Sequence, residues 1–374
     1  MESNCAMVCD AVRGAARNGD LSRGVKHAIS ALGSLGLCGL AIPEKDGGLG
    51  MGYKALCTAM ENVSAVNPSV GLAYAAHSDL CLGQIARHGS DEQKKRFLPD
   101  ILSGKRIGGL AMTEPNAGSD VFAMKSKAVR KPNGDYVLNG VKTFITNGVS
   151  GEVFVVYAKT RPDLPGSKGV SAFIVEKGAK GFSAGPKFDK IGMRECDTSE
   201  LRMDNVVVPA ANLLRKEGDG AKILLSGLNT ERLVLAAGPL GIMRACLDTV
   251  IPYAKQRKQF GKPIANHQLI QEKMANMYAM YKASSAMVYS IADDYDKGKK
   301  SHADCAAAIL FAAENATRVA IDAVQCLGGY GYTREYPVGG LMNDAKLYEI
   351  GAGTSEMRRV VIAKDLIKNY QSMN

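Results

Sequence analysis

One stripe of side chains limits what this chain can become. Ile270, Met274, Met277, Tyr281, Val288, Ile291 and Tyr295 recur at 4-3-4 spacing, and Ser284 fills the single gap. Residues three and four apart share a helix face, so the spacing predicts one apolar seam on a helix of about 26 residues, roughly 39 Å long. A second long helix is expected from Ala303 to Leu327, with Gly328-Gly329 as its C-cap. Long helices joined by short connections pack as a bundle. The Met and Tyr stripe reads as core rather than as a cofactor box. Asp293, Asp294 and Asp296, with Lys297, Lys299 and Lys300, read as a solvated helix end and loop.

Upstream of about residue 215 the pattern changes twice. Residues 1–108 are helical in character: Ala55 to Val66 and Gly71 to Ile85 are rich in Ala, Leu and Met, and Ser90-Asp91-Glu92 caps a helix start with Pro99 close behind. Residues 109–214 read as a β-block. Tyr136-Val137-Leu138 and Val141 to Thr146 flank Asn139-Gly140, the dipeptide of a two-residue hairpin turn. Val153 to Lys159, Val170 to Val175 and Leu201 to Val208 are further strand-like runs. The expected class is α+β in three domains: N-terminal helical (1–108), central β-barrel-like (109–214) and C-terminal four-helix bundle (215–374).

With 374 residues the chain exceeds the usual single core. Its 46% apolar and 22% charged residues are ordinary for a globular protein. No uninterrupted apolar stretch of about 18 residues occurs, so no membrane span is expected. The net charge of +10 comes from scattered Lys and Arg, with only short clusters such as Lys94-Lys95-Arg96 and Lys299-Lys300. This argues against nucleic acid and suits small anionic ligands such as pyrophosphates. Nine cysteines, odd in number and widely spaced, read as reduced, mostly buried thiols, and the five dispersed histidines suggest no metal site. The N-terminus shows no secretory apolar region and makes a poor transit peptide.

Two segments point to chemistry. Glu231 stands in Gly227-Leu-Asn-Thr-Glu-Arg-Leu-Val-Leu235, an apolar helical stretch almost without acids. A desolvated carboxylate has a raised pKa and serves as a general base near neutrality. Far downstream, Leu347-Tyr-Glu-Ile-Gly-Ala-Gly-Thr-Ser-Glu356 is a turn of small residues opening the last helix, where backbone N–H groups lie open to a ligand. Together they suggest a base that removes a proton while amides hold the developing negative charge. Read singly, Glu231 is more readily a helix residue salt-bridged to Arg232, and the glycines an ordinary turn.

The order helical, β, helical, with Ala111-Met-Thr-Glu-Pro-Asn-Ala-Gly-Ser-Asp120 opening the β-block, resembles the acyl-CoA dehydrogenase family. Phe144-Ile-Thr-Asn-Gly148, Arg257-Lys-Gln-Phe-Gly261 and Gln325-Cys-Leu-Gly-Gly-Tyr-Gly-Tyr332 carry the resemblance further, from about residue 32 to 370. It implies FAD-dependent α,β-dehydrogenation of an acyl-CoA. Most members carry the catalytic Glu at the position of Ala352. In one branch that position is not acidic and the base comes from the Glu-Arg-Leu-Val-Leu-Ala helix, here Glu231. The resemblance thus implies a short branched acyl-CoA as substrate, with Ala352 beside Gly351 widening the acyl pocket.

By the same resemblance, Leu110, Ala111, Met112, Thr113, Gly118 and Ser119 would line the flavin and pyrophosphate. Phe144 would stack on the flavin where relatives commonly carry Trp, Ile145 would adjoin it, and Thr146 would hydrogen-bond its reactive edge. Read without the family, Phe144 is equally a strand core residue. Arg257, Phe260, Gln268, Gln325, Cys326, Gly328 and Gly329 would hold the adenosine diphosphate half, partly across a subunit contact. Thr354, Ser355 and Glu356 would lie near the flavin, or form nothing more than a capping set. Ser119, Ser167, Lys168, Asn229, Arg232, Ala352 and Gly353 would contact substrate. Implied partners are an electron-transfer flavoprotein and a homotetramer, in the mitochondrial matrix of a eukaryote or otherwise the cytoplasm. A flavin oxidase and a non-catalytic acyl-CoA-binding homologue are the other readings. Residues 1 to about 30 do not carry the resemblance, Gly340 and Asn343 stand where arginines are expected, and Gly238-Pro239 interrupts the Glu231 helix.

Overall fold

The computed structural model describes residues 21–369. Helices α1 (Leu21–Ser34), α2 (Gly52–Val66), α3 (Pro68–Ala75), α4 (Gln84–His88) and α5 (Asp91–Leu102) make up the first part. The Ser90 hydroxyl and the Gln93 amide close a reciprocal capping box that starts α5, and Pro99 is carried inside that helix. Gly71 to Ile85 is not one regular α-helix as its composition suggests. Ala76–Gly83 is a π-helix set between α3 and α4. Such insertions are rare and concentrate at functional sites.

His77, on this π-helix, is fully buried. Its Nε2 lies 2.9 Å from the Ile101 carbonyl and its Nδ1 accepts from Gly108 N–H at 3.0 Å, tying the π-helix to α5 and to the first strand. Burial pushes its pKa down to about 4, outweighing the hydrogen bond to Ile101. The ring is therefore neutral in the fold but protonates in the unfolded chain below about pH 6.5. Its contribution is intact above that pH and is lost as pH falls toward 4, roughly 3 kcal/mol in all. Urea titrations of the wild type and of His77→Gln are expected to diverge over this window; parallel curves would contradict the assignment.

The middle of the chain forms seven strands: β1 (Gly108–Ala111), β2 (Lys127–Arg130), β3 (Tyr136–Thr146), β4 (Val153–Lys159), β5 (Val170–Glu176), β6 (Phe182–Ala184) and β7 (Thr198–Val208). They form one mixed sheet in the order β1-β4-β2-β3-β7-β6, with β5 paired to β4. The expected hairpin at Asn139-Gly140 does not form. These residues lie inside β3, where Asn139 pairs with Lys127 on one side and Gly140 with Met203 on the other, across a bulge. Paired on both edges, the strand cannot fold back on itself. A Cβ on Gly140 would fall 2.2 Å from the Ser126 hydroxyl, so close approach, not a turn, demands glycine here. The β2–β3 turn lies instead at Lys131 to Asp135, closed by Lys131 N–H on the Asp135 carbonyl at 2.7 Å.

The last part contains α6 (Gly220–Gln256), α7 (Gln268–Asp296), α8 (His302–Leu327), α9 (Val338–Leu347) and α10 (Ser355–Asn369). Gly328 caps α8 with φ +58, as its position predicts. Along α7 the stripe buries Met277, Ser284, Val288 and Tyr295. Met277, Val288 and Tyr295 join Ile29, Met60, Tyr74, Leu233, Leu240, Met243, Ile309 and Val319 in one core shared by the first and last helical parts. Each such side chain stabilises the fold by about 1.5–3 kcal/mol. A buried carboxylate pins the junction: Glu61 accepts from Tyr281 at 2.9 Å and from Tyr289 at 2.5 Å, with Arg244 at 3.5 Å.

Helix α6 is long and apolar enough to cross a membrane, which a search for uninterrupted runs misses, yet 72% of its most apolar window is buried within the chain. Pro239 is accommodated inside it. Seven described cysteines are free and buried; Cys5 and Cys9 lie outside the described residues.

Candidate active site

Glu231 lies in the N-terminal third of α6, within its buried part, and is 6% exposed. Among the described residues no hydrogen-bond donor pairs with its carboxylate. Burial pushes its pKa up to about 7, the neighbouring Asp79 charge adds to that, and Arg232 and Arg358 act in the opposite direction. Tyr157 on β4 also lies within its field. Asp79 comes from the π-helix, Arg358 from α10 and Tyr157 from the sheet, so every part of the fold contributes to the surroundings of this one carboxylate. A carboxylate of this kind, half ionised near neutrality and unpaired, is fitted to accept a proton from carbon.

Arg358 is buried, and its Nη2 donates to the Gly351 carbonyl at 2.6 Å. The bond fixes the turn of small residues beside the base. Ala352 there adopts φ +58, a left-handed conformation uncommon for a residue with a Cβ. Of the seven described non-glycine residues with positive φ, three, Phe144, Phe260 and Ala352, are positions singled out from sequence. Within the described residues no hydrogen bond takes up the Ala352 or Gly353 N–H. Thr354 caps α10, its hydroxyl accepting from Met357 N–H at 3.3 Å. Among the described residues the buried Ser355 hydroxyl has no partner, and Glu356 is exposed.

A second group gathers at the sheet. Leu110 and Ala111 end β1, and Phe144, Ile145 and Thr146 end β3. The two ends are laced together by Thr143 N–H on the Thr113 carbonyl at 2.9 Å and by Lys142 Nζ on the Met112 carbonyl at 3.1 Å. Phe144 is 68% exposed, with Phe188 beside it at 5.4 Å between ring centroids. It is therefore a presented ring and not the strand core residue that sequence left open. Ile145 is the core residue of the pair. Gly118 and Ser119 are exposed on the loop beyond Thr113.

That loop hangs on a pair the sequence reading passed over. Lys142, wholly buried, donates to Glu114 at 2.8 Å, while Glu114 also accepts from Lys125 N–H at 2.5 Å and Ser126 N–H at 2.9 Å. Burial opposes ionisation of Glu114, but Lys142 and these amides outweigh it and hold the carboxyl below its ordinary range. The one charged residue of β3 was the available signal. Asp79 and Arg358 were likewise missed, although an acid within the apolar Gly71 to Ile85 stretch is conspicuous.

A third group lines a cavity of about 510 Å³ that includes Arg257, Gln325, Cys326, Gly328, Gly329 and Tyr330. The Arg257 guanidinium sits 5.9 Å from the Tyr330 ring centroid, and a Cβ on Gly328 or Gly329 would meet nothing within 4 Å. A fixed cation, an amide and open glycine backbone make a fitting donor set for a pyrophosphate. Phe260, almost fully exposed, and Gln268, at the start of α7, do not line it, and neither does any residue of the 110–119 or 144–146 segments. On the substrate side, Ser167 and Lys168 lie in a short turn before β5 with Lys168 exposed. Asn229 is buried, its Oδ1 2.7 Å from His302 Nδ1, and among the described residues the buried Arg232 Nε has no partner.

Three family models match the chain in succession: the acyl-CoA dehydrogenase N-terminal domain over residues 5–105, the middle domain over 109–206 and the C-terminal domain over 218–367. The chain belongs to the acyl-CoA dehydrogenase family. The first match begins well before residue 32, so the family likeness reaches further toward the N-terminus than the motifs alone carried it. A mitochondrial isovaleryl-CoA dehydrogenase of Oryza sativa subsp. japonica is 55% identical over 90% of this chain and 82% of its own length. A mitochondrial 2-methylacyl-CoA dehydrogenase of Solanum tuberosum is 52% identical, again over 90% and 82%. Among solved structures, butyryl-CoA dehydrogenase from Megasphaera elsdenii superposes with a TM-score of 0.92 at 36% identity, covering 98% of this chain and 97% of that one. The chain is an FAD-dependent oxidoreductase of this family.

Proposed function

We propose that this chain oxidises isovaleryl-CoA to 3-methylcrotonyl-CoA, with Glu231 as the base. The observation that carries the proposal is a buried, unpaired carboxylate at Glu231 together with a small residue, Ala352, where most family members place theirs. Glu231 takes the α-proton. The free Ala352 N–H donates to the thioester oxygen, stabilising the charge that develops as the proton leaves. Burial of Glu231 excludes water from the base and strengthens its interactions. FAD, when bound, supplies the acceptor for the β-hydride. Phe144 would stack against the isoalloxazine and Thr146 would hydrogen-bond it, while Arg257 and Gln325 to Gly329 would hold the diphosphate end. The cavity at Arg257 is lined without the sheet residues, which supports a site completed across a subunit contact. Exposed Leu269 and Tyr278 on α7, with Phe311 and Ile321 on α8, supply apolar surface for a homotetramer. Electrons then pass to an electron-transfer flavoprotein, in the mitochondrial matrix where the source is eukaryotic.

With Ala352 in place of a Glu side chain, the acyl pocket accepts a branched chain. The 2-methylacyl-CoA relative favours one alternative, a chain branched at the α-carbon. Turnover with an artificial electron acceptor should rank isovaleryl-CoA above isobutyryl-, butyryl- and octanoyl-CoA. Preference for isobutyryl-CoA selects the alternative, and preference for a straight chain defeats both. Oxygen uptake equal to substrate consumption would make the protein an oxidase instead.

A further inference from the structure

Asp79 is a second acid beside the base, and the chemistry described above does not use it. It lies on the π-helix Ala76–Gly83 and is 2% exposed. Its Oδ2 is 3.0 Å from the Thr230 hydroxyl, which shares its proton with the Gly227 carbonyl at the same distance. Its Oδ1 is 3.3 Å from Arg87 Nη1, and that nitrogen also donates to the Tyr53 hydroxyl at 2.9 Å. Thr230 immediately precedes Glu231 on α6. The carboxylate of Asp79 thus grips the turn of helix from which the base projects, and Arg87 anchors it in a buried site. Among the described residues the buried Arg87 Nε and Nη2 have no partner.

We propose that Asp79 is a positioning residue for Glu231: through Thr230 it fixes the turn presenting the base, and it places a second negative charge next to it. This rests on Glu231 being the base. Two like charges in a low-dielectric site disfavour each other's ionisation: burial raises the pKa of Asp79, Arg87 and the Thr230 hydroxyl oppose that rise, and the ionised Asp79 carboxylate makes Glu231 a stronger proton acceptor. The charged and titratable groups facing Glu231 are Asp79 on the π-helix, Arg232 on its own helix, Arg358 on α10 and Tyr157 on β4. The two arginines oppose the effect of Asp79. Asp79 is the acid among them, and its removal leaves only the arginines to bias the carboxylate toward ionisation.

The test is Asp79→Asn in the FAD-loaded enzyme, which keeps the size and a hydrogen-bonding oxygen toward Thr230 while removing the charge. kcat/KM measured from pH 5.5 to 9 should show its acid limb about one pH unit lower than wild type. At pH 6, activity relative to that at pH 8.5 should rise about fivefold. A merely structural role changes the amplitude but not the position of the limb. Isotope-edited infrared titration of the Glu231 carboxyl gives the same shift without turnover. Run on the wild type, it also reports whether Asp79 is ionised at pH 7. Should Asn not fold, Asp79→Ser carries the same prediction. A limb that superposes on wild type or moves upward, or a protonated Asp79 in the wild type at pH 7, overturns the proposal. Turnover retained in Glu231→Gln would instead overturn the identity of the base, and the two failures are distinct.

Discussion

Glu231→Gln should lower turnover of isovaleryl-CoA by about 10²- to 10⁴-fold, the range ascribed to a positioned general base. Gln keeps the volume and polarity of the side chain but accepts no proton from carbon. Thioester binding and the yellow flavin are retained, because neither the Arg257 cavity nor the β1–β3 edge depends on this carboxylate. Stability moves in a direction that separates this outcome from misfolding. The pKa of Glu231 is raised in the fold, to about 7. Its contribution to stability is therefore fully present below the unfolded carboxyl pKa and is lost as pH rises through about 7. The variant has no such loss, so its melting temperature should fall less than that of the wild type between pH 5 and 8. A variant that turns over at near wild-type rate would remove Glu231 from its role.

Lys142→Met should cost about 3–5 kcal/mol, because it leaves Glu114 charged and buried without its cation. The pair is the inner support of the loop from Met112 to Ser126, and its loss frees both the Met112 carbonyl and the Glu114 carboxylate. FAD retention on gel filtration should fall together with the urea midpoint. The double variant Lys142→Met/Glu114→Gln should recover most of the loss, since no charge is then stranded. A single variant within about 1 kcal/mol of wild type would show that the buried pair does not support the loop.

Both experiments concern residues whose roles were unequally legible. Glu231 stood out because an acid in an apolar helical run breaks a local pattern. Lys142 broke the pattern of its strand in the same way, but its partner lies 28 residues away, and one charged residue in a strand looks like a solvated edge. Asn139-Gly140 shows the opposite failure. The dipeptide has the local chemistry of a turn, and pairing of β3 on both edges overrode it with a bulge. The shift to a π-helix at Ala76–Gly83 has no local signature at all, since its composition suits an α-helix equally well.

Local order was therefore written in the chain: the α7 stripe, the α8 C-cap at Gly328, the capping box at Ser90 and the isolated acid at 231 all follow from neighbours within one or two turns. The encounters were decided by tertiary structure alone. Asp79, Tyr157, Glu231 and Arg358 come from four elements spread over some 280 residues, and only their packing removes water from between them. A carboxylate near pH 7 is a property of that excluded water and those neighbouring charges, and no stretch of sequence contains either.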